Sequence, residues 1–161
     1  ESGAFEGIGF AVPASTVQRV IPELIASGRV EYPWLGVGSI AAQEGFGLAG
    51  LAEPLGLSVE SGILIAGVTP GSPAAQAGLQ GGTREVLVRG RRVCAGGDII
   101  VAIDGQAVNS MDELLAYLML NIRPGDEITL QVARADRIFD LPLVLTARPD
   151  DNVAIPDCGQ E

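Results

Sequence analysis

The sequence predicts an α+β domain that is mainly β, and three observations lead to this prediction. Residues 63–68 and 99–103 are apolar, β-branched runs of strand length, which is typical of buried strands. Residues 127–134 and 138–146 alternate polar and apolar side chains around a short polar link, which predicts a hairpin that finishes the sheet. Residues 111–122 place apolar side chains at helical spacing. We therefore expect a small sheet accompanied by helices.

A short helix is predicted directly after the first buried strand. Pro70 and Gly71 end that strand by turn chemistry. Ser72 is placed to cap a helix whose first residue is Pro73, where a missing backbone N–H costs nothing. Gly78 can adopt the left-handed conformation that closes such a helix. In the same way, the longer helix is expected to begin at Met111, with Ser110 as its cap.

An insert, residues 80–97, separates the short helix from the second buried strand. Residues 86–88 predict a short hairpin within it. Four of the ten arginines lie in this insert: Arg84, Arg89, Arg91 and Arg92. They could bind an acidic partner or a peptide carboxylate, but a charge cluster of this kind is more often a solvated loop.

The first 31 residues show a different organisation. Residues 7–13 have the composition of a short buried strand, and Ser15 and Gln18 have the spacing of a capping box at a helix start. Apolar residues then follow at helical spacing as far as Gly28, which supplies the stop. A single strand and helix cannot form a domain alone. We therefore expect the chain to begin inside a larger protein.

Composition excludes several classes of function. The formal net charge of -10 and the sequence pI near 4.3 argue against electrostatic binding to nucleic acid or to an anionic membrane, since either needs a basic face. No apolar run approaches the roughly 18 residues of a membrane helix. Cys94 and Cys158 are too few for a disulfide framework and lack metal-ligand spacing, so two free thiols are favoured over a single disulfide.

Catalysis by this chain alone is not expected. Histidine and lysine are both absent, which removes the usual general base for a serine or cysteine nucleophile, the commonest zinc ligand and Schiff-base chemistry. Asp98 lacks a partner base and is interpreted as a turn cap. Residues 45–50 match Gly-x-Gly-x-x-Gly, but Pro54 cuts the following helix short and no βαβ unit follows. We predict no catalytic residues, no metal and no cofactor, and we interpret residues 41–61 as a connection carrying about one helical turn.

Two stretches resemble a known family. Thr-Pro-Gly-Ser-Pro-Ala-Ala-Gln-Ala-Gly-Leu (residues 69–79) and Gly-Asp-Ile-Ile-Val-Ala-Ile-Asp-Gly (residues 97–105) are similar to the PDZ domain of HtrA-family, trypsin-like serine proteases. Gly-Ile-Gly-Phe-Ala-Val-Pro (residues 7–13) and Ile-Ala-Ser-Gly-Arg-Val (residues 25–30) resemble the last strand and terminal helix of the HtrA protease domain. The Gly-Asn-Ser-Gly-Gly context of the family's catalytic serine does not occur in this chain.

The resemblance implies a domain organisation and a fold. Residues 1–31 would be the C-terminal strand and helix of a trypsin-like protease domain, and residues 32–148 a PDZ domain. Residues 149–161 would be a flexible acidic tail. The implied PDZ fold is a small half-open β-barrel or sandwich with two helices. Compact PDZ domains usually join the short helix to the next strand in a few residues, so the insert is a departure from the family pattern.

The resemblance also implies a binding function. A PDZ domain adds a C-terminal peptide as a strand to a sheet edge, and needs free backbone N–H groups for the carboxylate and a pocket for the last side chain. The first five candidate residues resemble the family's carboxylate loop and its strand, and the last two lie on the long helix. The predicted peptide-binding residues are Trp34, Leu35, Gly36, Val37, Gly38, Leu115 and Met119.

Two alternatives to these assignments remain open. Met111, Leu115 and Met119 share one helix face, while Leu114, Leu118 and Ile122 share another, and either could face the groove. Flexible methionines suit varied apolar side chains, which favours Leu115 and Met119. Trp34 could equally be a core or interdomain residue, and Gly36 could be an ordinary turn glycine.

The expected function is recognition of apolar C-terminal segments of misfolded or regulatory proteins, in protein quality control. One alternative is a structural or autoinhibited PDZ-like module whose groove is closed by its own insert or tail. Another is an intact serine protease chain of which this sequence is one part. Family resemblance further implies a parent serine endopeptidase, assembly into trimers through the protease domain, and an extracytoplasmic, periplasmic location.

Overall fold

A computed structural model describes residues 12–39, 47–150, 153, 154, 156, 158 and 159. The chain forms two compact units, Glu1–Val30 and Glu31–Glu161. The predicted strand at residues 7–13 falls largely outside the described residues, as do Ile40 and residues 41–46. No described helix combines the length and the apolar composition that crossing a membrane requires.

The first unit contributes one described helix, α1 (Ala14–Ser27). Pro13 takes its N-cap position and makes no side-chain cap, so the capping-box prediction is wrong: Ser15 lies inside the helix instead of before it. Gly28 ends the helix as predicted, in the left-handed region at φ 73°, and its N–H donates to the Leu24 carbonyl. Pro22 is accommodated within the helix.

The second unit is a mixed, mainly β domain. Its elements in chain order are β1 (Pro33–Trp34), β2 (Val37–Ser39), α2 (Leu48–Leu55), β3 (Ile63–Val68), α3 (Pro73–Ala77), β4 (Arg84–Val88), β5 (Arg91–Ala95), β6 (Ile99–Ile103), β7 (Gln106–Ala107), α4 (Met111–Asn121), β8 (Glu127–Arg134), β9 (Arg137–Val144) and β10 (Thr146–Ala147). The buried strands, the short helix and the long helix therefore lie where the sequence predicted them. The predicted fold class is confirmed.

The main sheet is antiparallel, with strand order β2-β3-β6-β8-β9 and the short β7 paired with β6. β6 is buried at four of its five positions, as the continuous apolar run predicted. β8 and β9 form the predicted hairpin with eight residue pairs. β1 pairs separately with β10, and β2 lies at an outer edge of the main sheet.

One hydrophobic cluster joins the long helix to the sheet. Leu114 and Leu118 of α4 are 1% and 2% exposed and pack with Ile100, Ile128 and Leu130 of the strands. Aliphatic side chains fill this core because the chain has only 4% aromatic residues. The burial of Leu114 and Leu118 determines which face of α4 is left toward solvent.

A second cluster forms around α2, where the sequence predicted only a connection with about one helical turn. The helix has eight residues and contains Pro54 in its last turn. Leu48, Leu51 and Ala52 follow helical spacing and are buried, and Leu51 packs in the same cluster as Leu64 of β3. Burial of this apolar face explains why α2 is longer than its glycine-rich surroundings suggested.

The insert forms a hairpin, as residues 86–88 predicted, and this hairpin is longer than expected. β4 and β5 are paired over five positions, from Arg84↔Ala95 to Val88↔Arg91. Arg89 and Gly90 at its tip both have positive φ, 51° and 80°, which matches the twist that tight hairpin turns require. Val88 and Val93 on one face are buried in the cluster around α2.

The two cysteines form a disulfide, so the prediction of two free thiols is wrong. Cys94 of β5 and Cys158 are joined across a sequence separation of 64 residues, with their Cα atoms 5.6 Å apart. The sequence could not show this proximity, because the insert hairpin and the C-terminal segment come together only in the folded chain. Gly159 adds a backbone hydrogen bond from its N–H to the Gly82 carbonyl, at 3.1 Å.

Asp98 has a structural role. It is 1% exposed and accepts two hydrogen bonds from the Arg134 guanidinium, at 2.6 and 2.7 Å, and one from the Gln80 N–H at 2.8 Å. Arg134 also donates to the Gly78 carbonyl and lies over the Phe139 ring, 5.2 Å from its centroid. The hydrogen bonds that Arg134 donates to Asp98 raise the pKa of Arg134 above its ordinary value. The described partners of the Asp98 carboxylate are 18 and 36 positions away, so it forms an ion pair with Arg134 instead of the predicted turn cap.

Candidate functional site

The loop between β1 and β2 is held by hydrogen bonds that its own carbonyl groups accept from the start of α3 and the segment before it. The Leu35 carbonyl accepts from the Ala74 N–H at 3.1 Å, and the Gly36 carbonyl accepts from the Thr69 N–H at 2.9 Å. Leu35 is itself 4% exposed and belongs to the cluster under α4. Two consecutive carbonyls and one side chain therefore fix the position of this loop.

Gly36 is required at its position for two independent reasons. Its φ of +82° lies in the left-handed region that L side chains rarely adopt. A Cβ atom there would also overlap the Ser72 side chain, with Oγ at 2.6 Å, and would crowd the Trp34 ring at 3.2 Å. Ser72 is fully buried, and its Oγ accepts from the Ala75 N–H as the predicted cap of α3. The side chain that caps α3 therefore also lies directly against the loop at Gly36.

Within the described residues, two backbone donors of the loop make no hydrogen bond. No hydrogen bond joins the N–H of Leu35 or Gly36 to an acceptor among residues 12–39, 47–150 or the described tail positions. Successive N–H groups in a turn that contains a left-handed residue can form a concavity that holds anions, and Gly36 supplies such a residue here. The loop therefore offers uncommitted donors beside carbonyls that are already satisfied.

Next to the loop, β2 has one edge that no described strand pairs with. Val37 pairs with Val68 and Gly38 with Gly67, and the register shifts between Gly38 and Ser39. Within the described part of the chain, β3 is the only strand that pairs with β2. The opposite edge of β2 therefore has backbone groups available for one more strand.

The long helix exposes the face that the sequence analysis favoured for the groove. Ser110 caps it as predicted, its Oγ accepting from the Glu113 N–H at 3.2 Å. Leu115 and Met119 are 42% and 44% exposed, although both are large apolar side chains. Leu114 and Leu118 bind the helix to the core, so the exposed pair lies on a different face.

The structure brings together some of the predicted site residues. Leu35 and Val37 pack in the same cluster as Leu114 and Leu118 of α4, which connects the loop and the helix through the core. Trp34 is half-buried in β1 and pairs with Thr146. Whether these side chains contact a peptide remains a prediction.

Sequence reasoning missed one contact on the long helix. The Tyr117 hydroxyl donates to Oδ2 of Asp104 at 3.1 Å, and Oδ1 of Asp104 accepts from the Thr129 N–H at 2.7 Å. Burial raises the pKa of Tyr117, and the hydrogen bond to Asp104 and the negative charge of that carboxylate raise it further. The sequence does not indicate this contact, because Asp104 and Tyr117 are 13 positions apart.

This contact predicts an alkaline loss of stability. Because the pKa of Tyr117 is raised in the folded state, its contribution is complete below the unfolded pKa of about 10 and is lost as pH rises through the folded pKa. We expect Tyr117→Phe to lower the free energy of unfolding by about 0.5–1 kcal/mol at neutral pH. The difference should shrink above pH 10 in chemical denaturation curves. A pH-independent difference would contradict this account.

The described residues contain no group of three or more acidic or cysteine side chains that could hold a metal ion. Within the described part of the chain, the main features of the site are a loop whose N–H groups make no hydrogen bond, a strand edge without a partner and an exposed apolar helix face.

Comparison with known proteins identifies the family. The PDZ domain family matches residues 33–145. Protease Do-like 1, chloroplastic, from Arabidopsis thaliana is 34% identical over 152 residues, which are 94% of this chain and 31% of that protein. The probable periplasmic serine endoprotease DegP-like of Brucella suis biovar 1 is 32% identical over 150 residues, 93% of this chain and 25% of that protein.

A solved structure supports the same relationship. The HtrA-type protease AlgW with decapeptide superposes with a TM-score of 0.64 at 30% identity, covering 94% of this chain and 40% of that chain. This chain therefore spans less than half of each of these relatives. It belongs to the PDZ domain family and is related to the HtrA/DegP serine proteases.

Proposed function

We propose that this chain is the peptide-binding PDZ module of an HtrA-like serine endopeptidase and recognises apolar C-terminal segments of substrate or regulator proteins. The observation that carries the proposal is the position of the Leu35–Gly36 loop at the start of an edge strand. A peptide that pairs with the open edge of β2 would end at this loop, with its carboxylate at the unused N–H groups. Binding of this kind needs neither histidine nor lysine.

The carboxylate interaction depends on the backbone. The Leu35 carbonyl shares a peptide plane with the Gly36 N–H, so its hydrogen bond with the Ala74 N–H keeps the Gly36 N–H from rotating away. Preorganised donors lower the cost of ordering on binding. A formal net charge of -10 disfavours an anionic peptide at long range, so the local donors have to provide the attraction.

The last side chain of the peptide would contact the exposed face of α4. Leu115 and Met119 supply flexible apolar surface there, and Val37 lies half-buried at the start of the edge strand. The related protease AlgW has been solved both with a decapeptide and with a tripeptide, which supports peptide binding by this family.

The decisive experiment compares one apolar peptide in two forms, with a free C-terminal carboxylate and with a C-terminal amide. We expect the free acid to bind about tenfold or more tightly in calorimetric titration, because the amide removes the charge that the loop donors stabilise. Equal affinity for the two forms would contradict carboxylate capture. Absence of binding by either form would favour the alternative of a module closed by its own insert or tail.

Substitutions on α4 should separate binding from folding. Leu115→Ala and Met119→Ala are each expected to weaken peptide binding by about tenfold, or about 1.4 kcal/mol, while changing stability by less than about 1 kcal/mol. Leu120→Ala is the matched control, since Leu120 is 56% exposed on the same helix but is not on the proposed groove face. Titration and denaturant unfolding of the three variants test this. Equal loss of affinity in all three would contradict the assignment of the groove face.

The remaining proposals concern the parent protein. We propose that it is a serine endopeptidase, that this module works with the parent's own protease domain, and that the assembly is trimeric. An extracytoplasmic, periplasmic location is proposed because relatives are named periplasmic or chloroplastic, and because a structural disulfide suits an oxidising compartment. Size and activity of the full-length protein, isolated from its native compartment, would test these points.

A further inference from the structure

Apolar packing holds the long helix α4 on the sheet. Leu114 and Leu118 are 1% and 2% exposed and pack in one cluster with aliphatic side chains of the strands. Such packing is non-directional, so it keeps the helix on the sheet without fixing its rotation about its own axis. Small sliding motions of packed helices are a general form of conformational change. A directional contact is therefore needed to fix the position of α4.

One hydrogen bond gives α4 such a directional contact. The Tyr117 hydroxyl donates to Oδ2 of Asp104 at 3.1 Å. The other side-chain hydrogen bonds of the helix and its caps join residues no more than four positions apart, so they stabilise the helix itself. Among the described residues, the bond from Tyr117 is therefore the one hydrogen bond that joins α4 to the sheet.

Asp104 is held in place without help from Tyr117. It lies in the turn between β6 and β7, and two hydrogen bonds join it to Thr129 of β8. The Thr129 N–H donates to Oδ1 of Asp104 at 2.7 Å, and the Asp104 N–H donates to the Thr129 carbonyl at 2.8 Å. Strands β6 and β8 belong to the same sheet as β2. Asp104 is therefore an anchor fixed to the sheet that carries the proposed peptide edge.

The bond and the proposed groove lie on opposite flanks of α4. Leu115 and Met119, the residues proposed to contact the peptide, are 42% and 44% exposed. Tyr117 is two positions from each of them, and two positions on an α-helix are about 200° apart around its axis. The buried Leu114 and Leu118 face the sheet between the two flanks. A rotation of α4 that breaks the bond would therefore also displace Leu115 and Met119.

We propose that the hydrogen bond between Tyr117 and Asp104 is a tether that fixes the distance from α4 to the edge of β2, and so determines which size of last peptide side chain the groove accepts. This inference rests on the proposed function and adds a specificity to it. Tyr117 acts as a positioning residue, since it lies on the flank away from the groove. Without the tether, α4 can move away from β2. A small side chain then loses contacts with the helix, whereas a large one gains room.

Two apolar free-acid peptides that differ only in the last residue, valine or phenylalanine, test the tether in calorimetric titration. Tyr117→Phe should weaken binding of the valine peptide by about fivefold and change binding of the phenylalanine peptide by less than about twofold. Asp104→Gly removes the acceptor and keeps the turn, because glycine tolerates the φ of 47° found there. It should shift the ratio of the two affinities by the same factor, and the double variant should add no further shift.

Hydrogen exchange of the peptide-free protein gives a second readout. Exchange in α4 should rise about threefold or more in Tyr117→Phe, while β6 and β8 keep their protection. Unchanged exchange in α4 would contradict the tether, because a helix that is fixed by its apolar contacts alone does not respond to loss of one hydroxyl.

Ser58→Ala is the matched control. The Ser58 hydroxyl donates to the Ala135 carbonyl, so this variant also removes one hydroxyl hydrogen bond, but away from α4 and β2. It should change both peptide affinities by less than about twofold and equally. The same shift of the affinity ratio in Ser58→Ala would overturn the proposal.

An unchanged affinity ratio in either folded variant, Tyr117→Phe or Asp104→Gly, would also overturn it, even if both peptides bind more weakly. Because the two variants break the bond from opposite sides, one of them suffices if the other fails to fold. A wild-type protein that binds neither peptide would refute the proposed function and the size selection together. Binding of both peptides with a ratio that no variant changes would refute the tether alone.

Discussion

Replacing Asp98 by asparagine is expected to lower the free energy of unfolding by about 3 kcal/mol, the low end of the cost of leaving a buried charge without its partner. The carboxylate is 1% exposed and holds the Arg134 guanidinium in two hydrogen bonds. The Arg134 side chain is 35% exposed and can be partly hydrated, which keeps the expected loss below the upper end of that range. Chemical denaturation measures the change.

An exposed ion pair in the same chain provides the matched control. Arg92 and Glu85 approach to 3.6 Å with side-chain exposures of 78% and 55%, so Glu85→Gln should change stability by less than about 0.5 kcal/mol. A double-mutant cycle with Arg134→Gln should show strong coupling to Asp98→Asn, because the two groups share one network. An effect of Asp98→Asn no larger than that of Glu85→Gln would contradict the structural role of the buried pair.

Gly36→Ala is expected to weaken binding of a free-acid peptide by about tenfold or more, since a displaced loop no longer converges its N–H groups on the carboxylate. It should also lower stability by about 2 kcal/mol, because an L residue is strained in the left-handed region and its Cβ would overlap Ser72. Peptide titration and denaturant unfolding of the same preparation give the two effects separately.

Gly71→Ala is the control for the cost of placing an L residue in the left-handed region. Gly71 has a similar φ of +74°, but a Cβ there would meet nothing within 4 Å. Its replacement should cost about 1 kcal/mol and leave peptide affinity unchanged. The difference between the two variants isolates the contact with Ser72. Equal effects of both substitutions on binding would argue that the loop at Gly36 has no special role.

Predictions that rest on local chemistry were accurate. Ser72 and Ser110 cap their helices, and Gly78 closes α3 in the left-handed region, because a cap involves residues within a few positions of one another. The strands at residues 63–68 and 99–103 have the predicted bounds, since a run of buried β-branched side chains leaves little choice of structure. The Ser15 capping box and the Asp98 turn cap are local predictions that were wrong.

Other features could not be predicted because they join distant parts of the chain. The helix α2 is stabilised by burial against Leu64, which a glycine-rich sequence does not indicate. Arg134 is 36 positions from Asp98, and its charge gave no sign of a buried partner. The candidate site contains both local features and contacts between distant residues. Gly36 was recognisable from its loop, while the role of Ser72 next to it was not.

The sequence by itself determined the fold class, the family resemblance and the positions of the helix caps and turns, because each depends on periodicity or on chemistry among neighbouring residues. Only the tertiary structure decided which face of α4 is exposed, that β3 is the one described strand paired with β2, and that Cys94 and Cys158 form a disulfide. The physical reason is that burial and pairing depend on where distant segments meet, and this is settled when the whole core packs.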